Sequence, residues 1–184
     1  IEKQEYYDVS ASQKRMYIVN KMTGENVGYN IPMAMEIKGR LDVSRFEQTI
    51  NKLVNRHESF RTFFEMIDNK PVQKIVESID FKIDYIEESE KVDEVIKEYI
   101  KPFDLSKAPL IRVALIKVKE DSHVLVMDMH HIISDGVSLG VIFKEIAAIY
   151  KEEKLEDLKL QYKDFSAWQN EYLRSDKIKK QEAY

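Results

Sequence analysis

Apolar residues along the chain follow two rhythms that replace one another repeatedly. Phe46, Ile50, Leu53, Val54 and then His57 keep helical spacing, as do Val92, Val95, Ile96, Tyr99 and Ile100. Leu139, Ile142, Phe143, Ile146, Ile149 and Tyr150 form a third stripe of the same kind. Around these stripes lie short runs rich in branched and aromatic residues: "NIPMAMEIKG", "RTFFEMI", "PVQKIV", "FKIDYI", "LIRVALIKV" and "HVLVMDMHHI". Each reads as a strand. "RTFFEMI" and "PVQKIV", joined by "DNK", predict a hairpin. "LIRVALIKV" and "HVLVMDMHHI" are nearly continuous in Val, Ile and Leu, which predicts central strands buried on both faces.

Local signals place the boundaries. Ser10 with Gln13 has capping-box spacing and predicts a helix reaching about Met22; Ser44 with Glu47 repeats the signal before the Phe46 stripe. Pro102 ends the helix that begins near Val92. A last helix is expected over roughly Tyr162 to Arg174, and "LRSDKIKKQEAY" continues helix-like without a stop signal. No repeat, low-complexity tract or linker interrupts this order, so residues 1–184 read as one unit. Helices packed on a mostly antiparallel sheet predict an α+β two-layer sandwich.

Composition narrows the function classes. The net charge of −4 comes from 33 acidic and 29 basic residues without long blocks of either, which disfavours a nucleic-acid or basic membrane-binding face. With no cysteine, disulfides and thiolate metal sites are excluded. No apolar run approaches the length of a membrane span, and "IEKQEYYDVS" lacks the form of a signal peptide. A cytoplasmic setting is expected. The first residue is not Met, and the chain is read as a piece of something longer.

Two of the four histidines stand side by side in "MDMHHIISDGVS", where an apolar run stops. In a strand His130 and His131 point to opposite faces, His131 with Leu125, Met127 and Met129, and His130 with Val126 and Asp128. That geometry argues against joint metal chelation, which needs both nitrogens at one point. Asp135 lies where strand gives way to helix, where a carboxylate can cap the helix or pair with an arginine. Gly136 allows a backbone conformation denied to other residues and leaves room for a substrate. The residues alone leave an acid–base site and a pair of satisfied core histidines about equally open.

"HHIISDG" resembles the HHxxxDG signature of the condensation domains of nonribosomal peptide synthetases, within the chloramphenicol acetyltransferase-like superfamily. Three further blocks are similar to that family's and fall in its order. "SASQKRMY" carries Ser12 where Ala is usual, "RHESFRTFF" has Phe60 for Leu, and "YKDFSAW" departs at Ser166 and Ala167. "PFDLSKAPLIRVALI" is also similar to the family's connection into its strand pair. The resemblance implies a chloramphenicol acetyltransferase-like lobe, the N-terminal of two, with the C-terminal lobe absent. It implies peptide-bond formation, in which the amine of an acceptor on one carrier protein attacks the thioester of a donor on another. Both substrates ride on 4'-phosphopantetheine arms, so no cofactor or metal is expected on the chain itself. Carrier domains, the second lobe and an adjacent adenylation domain are the implied partners.

By the same resemblance His131 is the essential histidine, and Asp135 is held by an arginine, for which Arg56 and Arg61 lead and Arg15 follows. His130 is expected to secure strand and loop. The Gly136 N–H is a candidate oxyanion donor, and Tyr162, Asp164, Phe165 and Trp168 are expected to pack and anchor. Two other readings stay open: an epimerisation domain of the same superfamily, and a non-catalytic lobe that docks carrier proteins. The lobe alone is expected to fold but barely to catalyse, and an L-to-L subtype is favoured weakly.

Overall fold

The computed structural model describes residues 1–24 and 26–175. The continuation of the last helix expected beyond Arg174 therefore falls mostly outside the described residues. Two sheets form the frame. One is three-stranded, ordered β1 (Tyr7–Asp8), β4 (Lys70–Ile75), β3 (Thr62–Ile67). The other is four-stranded, ordered β2 (Asn30–Lys38), β7 (Ser122–His130), β6 (Ile111–Lys119), β5 (Asp84–Glu87). All pairings are antiparallel except β5 with β6. Among the described residues five α-helices complete the α+β architecture: α1 (Ala11–Thr23), α2 (Val43–Arg56), α3 (Val92–Tyr99), α4 (Gly136–Tyr150) and α5 (Tyr162–Arg174).

The pair β6 and β7 is buried on both faces, as its continuous apolar pattern predicts. Val113, Leu115, Leu125, Met127 and Met129 face the main core, which also takes Phe46, Ile50, Leu53 and Val54 of α2 and Ile142 and Ile146 of α4. Ala114, Ile116 and Val126 face the other way, beneath Val92, Val95, Ile96 and Tyr99 of α3. Burial of an aliphatic side chain stabilises by about 1.5–3 kcal/mol, so both faces help to hold β7 in place. That matters because β7 carries the histidine pair at its end.

Several boundaries differ from expectation for physical reasons. Asp42, not Ser44, caps α2, its carboxylate accepting from Arg45 N at 2.9 Å; Ser44 falls inside the first turn. Only the second half of "FKIDYI" is strand. Phe81 and Ile83 are buried in irregular chain, and Ile83 N donates to Glu47 of α2 at 3.3 Å. The hairpin turn is tighter than "DNK": Asp68 and Asn69 take φ of 49° and 59°, and Lys70 already belongs to β4. The two-residue β1 leaves no periodicity to read. No helix among the described residues is long and apolar enough to cross a membrane.

Candidate functional site

β7 ends at His130, so the strand alternation that separated the two histidines does not extend to His131. The chain turns there, and the two residues part company more completely than a strand would allow. His130 is fully buried, its ring edge-on to Phe103 at 6.3 Å and tilted against Tyr29 at 6.0 Å. His131 is exposed and lines a cavity of about 230 Å³.

The loop that presents His131 is held at His131, Ile132, Ile133 and Asp135. His131 N donates to Tyr29 O at 2.7 Å, and Ile133 N to His130 O at 3.1 Å. His130 Nδ1 accepts from Ile132 N at 3.1 Å, so the buried imidazole staples the turn. From α1, Gln13 Nε2 donates to Ile132 O at 3.4 Å. Asp135 closes the loop as the N-cap of α4, accepting from Ser138 N at 2.8 Å and Ser138 Oγ at 2.6 Å. These bonds hold the Asp135 carboxyl below its ordinary range, with the nearby His131 adding a smaller effect in the same direction.

The four sequence blocks converge on this cavity. Ser12 and Met16 come from α1, Ser59 from the 3-10 turn at Glu58–Arg61, Tyr162 from α5, and Ser134, Asp135 and Ser138 from the loop and α4. They are also tied to one another. Ser10 Oγ lies 3.1 Å from Tyr162 Oη and 3.0 Å from Ser12 Oγ, which makes a short chain of hydroxyls at the cavity edge. Gln161 accepts from Glu58 N at 3.1 Å and donates to Arg56 O at 3.1 Å, and Lys163 pairs with Glu58 at 2.8 Å. Gln13, Ser59 and Tyr29 escaped sequence reasoning as site residues. Gln13 and Ser59 stood inside quoted motifs, but only the fold shows that they touch the loop or cavity; Tyr29 holds His131 through its backbone carbonyl, which no side-chain pattern announces.

None of the three arginines expected at Asp135 is there. Arg56 Nε donates to Glu145 at 3.1 Å and its Nη2 to Glu156 O at 2.5 Å. Arg61 is spent on the carbonyls of Val76, Glu77 and Asn55. Arg15 lies exposed on α1. Among the described residues no arginine bonds Asp135, which acts as a helix cap. Gly136 also departs from expectation. Positive φ among the described glycines is confined to Gly24 and Gly39, and a Cβ on Gly136 would meet nothing within 4 Å. The position does not demand glycine's conformational freedom; Gly136 leaves open space at the start of α4. Of the α5 residues, Asp164 takes part in a capping box with Gln161, whereas Phe165 and Trp168 lie largely exposed.

Burial sets the charge of His130. Its imidazole is lowered to about 4, by desolvation first and the neighbouring His131 second. Between about pH 6.5 and pH 4 the unfolded chain therefore takes up a proton that the folded chain refuses. The stability tied to His130 is complete above pH 6.5 and is lost as pH falls toward 4, by at most about 3 kcal/mol. Asp128, two residues earlier, opposes this at the acid end. Burial raises its carboxyl despite Asn30 and Arg112, so its contribution falls as pH rises above the ordinary carboxylate value. Urea denaturation of wild type and His130→Asn from pH 7.5 to 4.5 separates the two groups. Stability should decline on acidification more steeply in wild type; parallel curves would refute the assignment.

Comparison with known proteins follows the same lines. The family model described as "Condensation domain" matches residues 3–184. Gramicidin S synthase 2 of Aneurinibacillus migulanus is 52% identical over 182 residues, 98% of this chain and 4% of that protein. Bacitracin synthase 3 of Bacillus licheniformis is 46% identical over 185 residues, all of this chain and 3% of that protein. Among solved structures, the X-domain from teicoplanin biosynthesis in complex with OxyB matches with a TM-score of 0.87 at 25% identity, over 96% of this chain and 40% of that one. The starter condensation domain of rhizomide synthetase RzmA shares the fold, with a TM-score of 0.85 at 20% identity over 98% of this chain and 49% of that one. The chain thus spans a few per cent of its curated relatives and under half of these solved chains.

Proposed function

Because the chain belongs to the condensation-domain family, we propose that it is the N-terminal lobe of a nonribosomal peptide synthetase domain that joins two carrier-bound substrates. The supporting observation is the pinned loop that sets an exposed His131 in a cavity lined by all four sequence blocks. Donor and acceptor arrive on the phosphopantetheine arms of carrier domains, with an adenylation domain as neighbour. A cytoplasmic setting belongs to the same reading.

The reaction needs little deprotonation. A free α-amino group has a pKa of about 7.7–8.0, so roughly a tenth of it is neutral at pH 7. A thioester is already an activated acyl donor. Positioning two tethered reactants supplies much of the acceleration. His131 accepts a hydrogen bond from the acceptor amine, orients it, and takes its proton as the C–N bond forms; the thiolate of the donor arm leaves as the tetrahedral intermediate collapses. The Gly136 N–H, in the first turn of α4 where backbone donors lack helical partners, is the candidate contact for the oxyanion. If the family's arginine contact to Asp135 is kept, its arginine comes from outside the described residues.

The test uses the complete domain with donor and acceptor loaded on separate carriers and intact mass as the readout. Dipeptidyl-carrier is the expected product. Racemised substrate without coupling would shift the assignment to epimerisation, and carrier binding with neither product would leave a docking lobe. Residues 1–184 alone are expected to bind weakly and not to turn over; measurable coupling by them would overturn the two-lobe requirement.

A further inference from the structure

The His131 cavity has a second chamber. Ser59, Ser134 and Ser138 line both the His131 cavity and an adjoining one of about 160 Å³. The walls of the second are largely apolar: Phe60 from the 3-10 turn, and Val141 and Ile142 from α4. His57 closes one end, but its Nε2 lies 2.6 Å from Glu145 Oε2, so its polar edge is engaged elsewhere. Among the described residues no carboxylate, lysine or arginine lines the chamber.

Two further features point to a ligand. The Ser134 hydroxyl is buried at the junction and has no hydrogen-bond partner among the described residues, an uncommon state for a buried polar group. On α4, Val137 and Val141 are one turn apart, and both keep large exposure, 82% and 47%. An apolar rim thus leads from the start of α4 toward a hydroxyl-collared, apolar chamber that opens beside His131.

We propose that this chamber is the subsite for an uncharged aliphatic side chain of a carried substrate, with Val141 setting the size it admits. The inference rests on the condensation reading above, because the wall of Ser59, Ile133, Ser134 and Ser138 shared with the His131 cavity identifies the occupant as part of a reacting substrate. A side chain seated against Phe60, Val141 and Ile142 places the adjacent α-amine or thioester carbonyl near the serine collar, where the Ser134 hydroxyl gains the hydrogen-bond partner it otherwise lacks. Donor and acceptor residues share this chemistry.

The experiment couples the complete domain to two panels, each of glycyl, alanyl, valyl and leucyl carriers. One panel varies the donor against a fixed acceptor, and the other varies the acceptor against a fixed donor. Val141→Phe should lower the ratio of leucyl to alanyl product at least about tenfold in one panel, since a few methylenes in an apolar pocket discriminate by factors of that order. Val141→Ala should hold or raise that ratio. The panel that responds identifies whose side chain is bound. Val141 lies outside the buried core, and the alanine variant keeps the test alive if the phenylalanine one unfolds. Product from wild type with unmoved ratios in both panels and both variants overturns the subsite. No product from wild type in either panel overturns the condensation reading beneath it, and the subsite with it.

Discussion

Replacing His131 by alanine in the complete domain lowers the condensation rate by about 10²–10⁴-fold, the usual worth of a positioned acid–base group, and leaves the fold intact. The second half of that expectation makes the first informative. The His131 side chain is exposed, and only its backbone N–H joins the loop network, through Tyr29 O. Alanine keeps that bond. Melting temperature and carrier affinity should therefore match wild type while product accumulation collapses. A His131→Ala enzyme with undiminished coupling would reduce the residue to scaffold. The same role carries a pH signature: a protonated imidazole has no lone pair to offer the amine. Coupling should fall once acidification protonates that imidazole. After correction for amine ionisation, a flat profile would remove His131 as the base while leaving room for a purely steric part.

Much of the fold could be read from the chain because its signals were local. The stripes of α2, α3 and α4 and the continuous runs of β6 and β7 need no knowledge of what lies opposite. The Ser10–Gln13 capping box was equally legible, and both of its bonds form. Asp135 shows where local reading stops. Spacing allowed either a helix cap or an arginine partner, and the cap, a contact three residues away, is the one present. Arg56 was misassigned because its partners are long-range. Arg56 meets Glu145 and Glu156 across a gap of about a hundred positions, and no spacing rule reaches that far. Gly136 failed differently. Its place in a motif suggested an unusual backbone, whereas it simply begins a helix beside open space. The exposure of His131 depended on β7 ending at His130, two residues short of the expected run, a boundary finer than pattern alone resolves.

Glu145→Ala is expected to destabilise the chain by about 3–5 kcal/mol, the cost of removing one partner from a buried charged cluster. Glu145 sits on the inner side of α4 with little exposure, and one of its oxygens is shared by Arg56 Nε at 3.1 Å and His57 Nε2 at 2.6 Å. The three residues join α4 to the end of α2, immediately before the 3-10 turn that supplies Ser59 to the His131 cavity. Without the carboxylate, the poorly solvated Arg56 guanidinium keeps only the Glu156 carbonyl. Glu145→Gln preserves an acceptor in the same place and should cost clearly less, because the guanidinium still finds an oxygen. For a chain of this size the alanine variant should melt on the order of 10 °C below wild type. A double-mutant cycle with Arg56→Ala tests the mechanism. If the loss comes from stranding the guanidinium, removing both partners should recover part of it; strictly additive losses would assign the effect to packing instead. Below its own midpoint the Glu145→Ala domain should still couple at a near-normal rate, since Glu145 touches no reacting atom. His131→Ala should do the reverse, and that opposition separates the residue that holds α4 in place from the one that uses it.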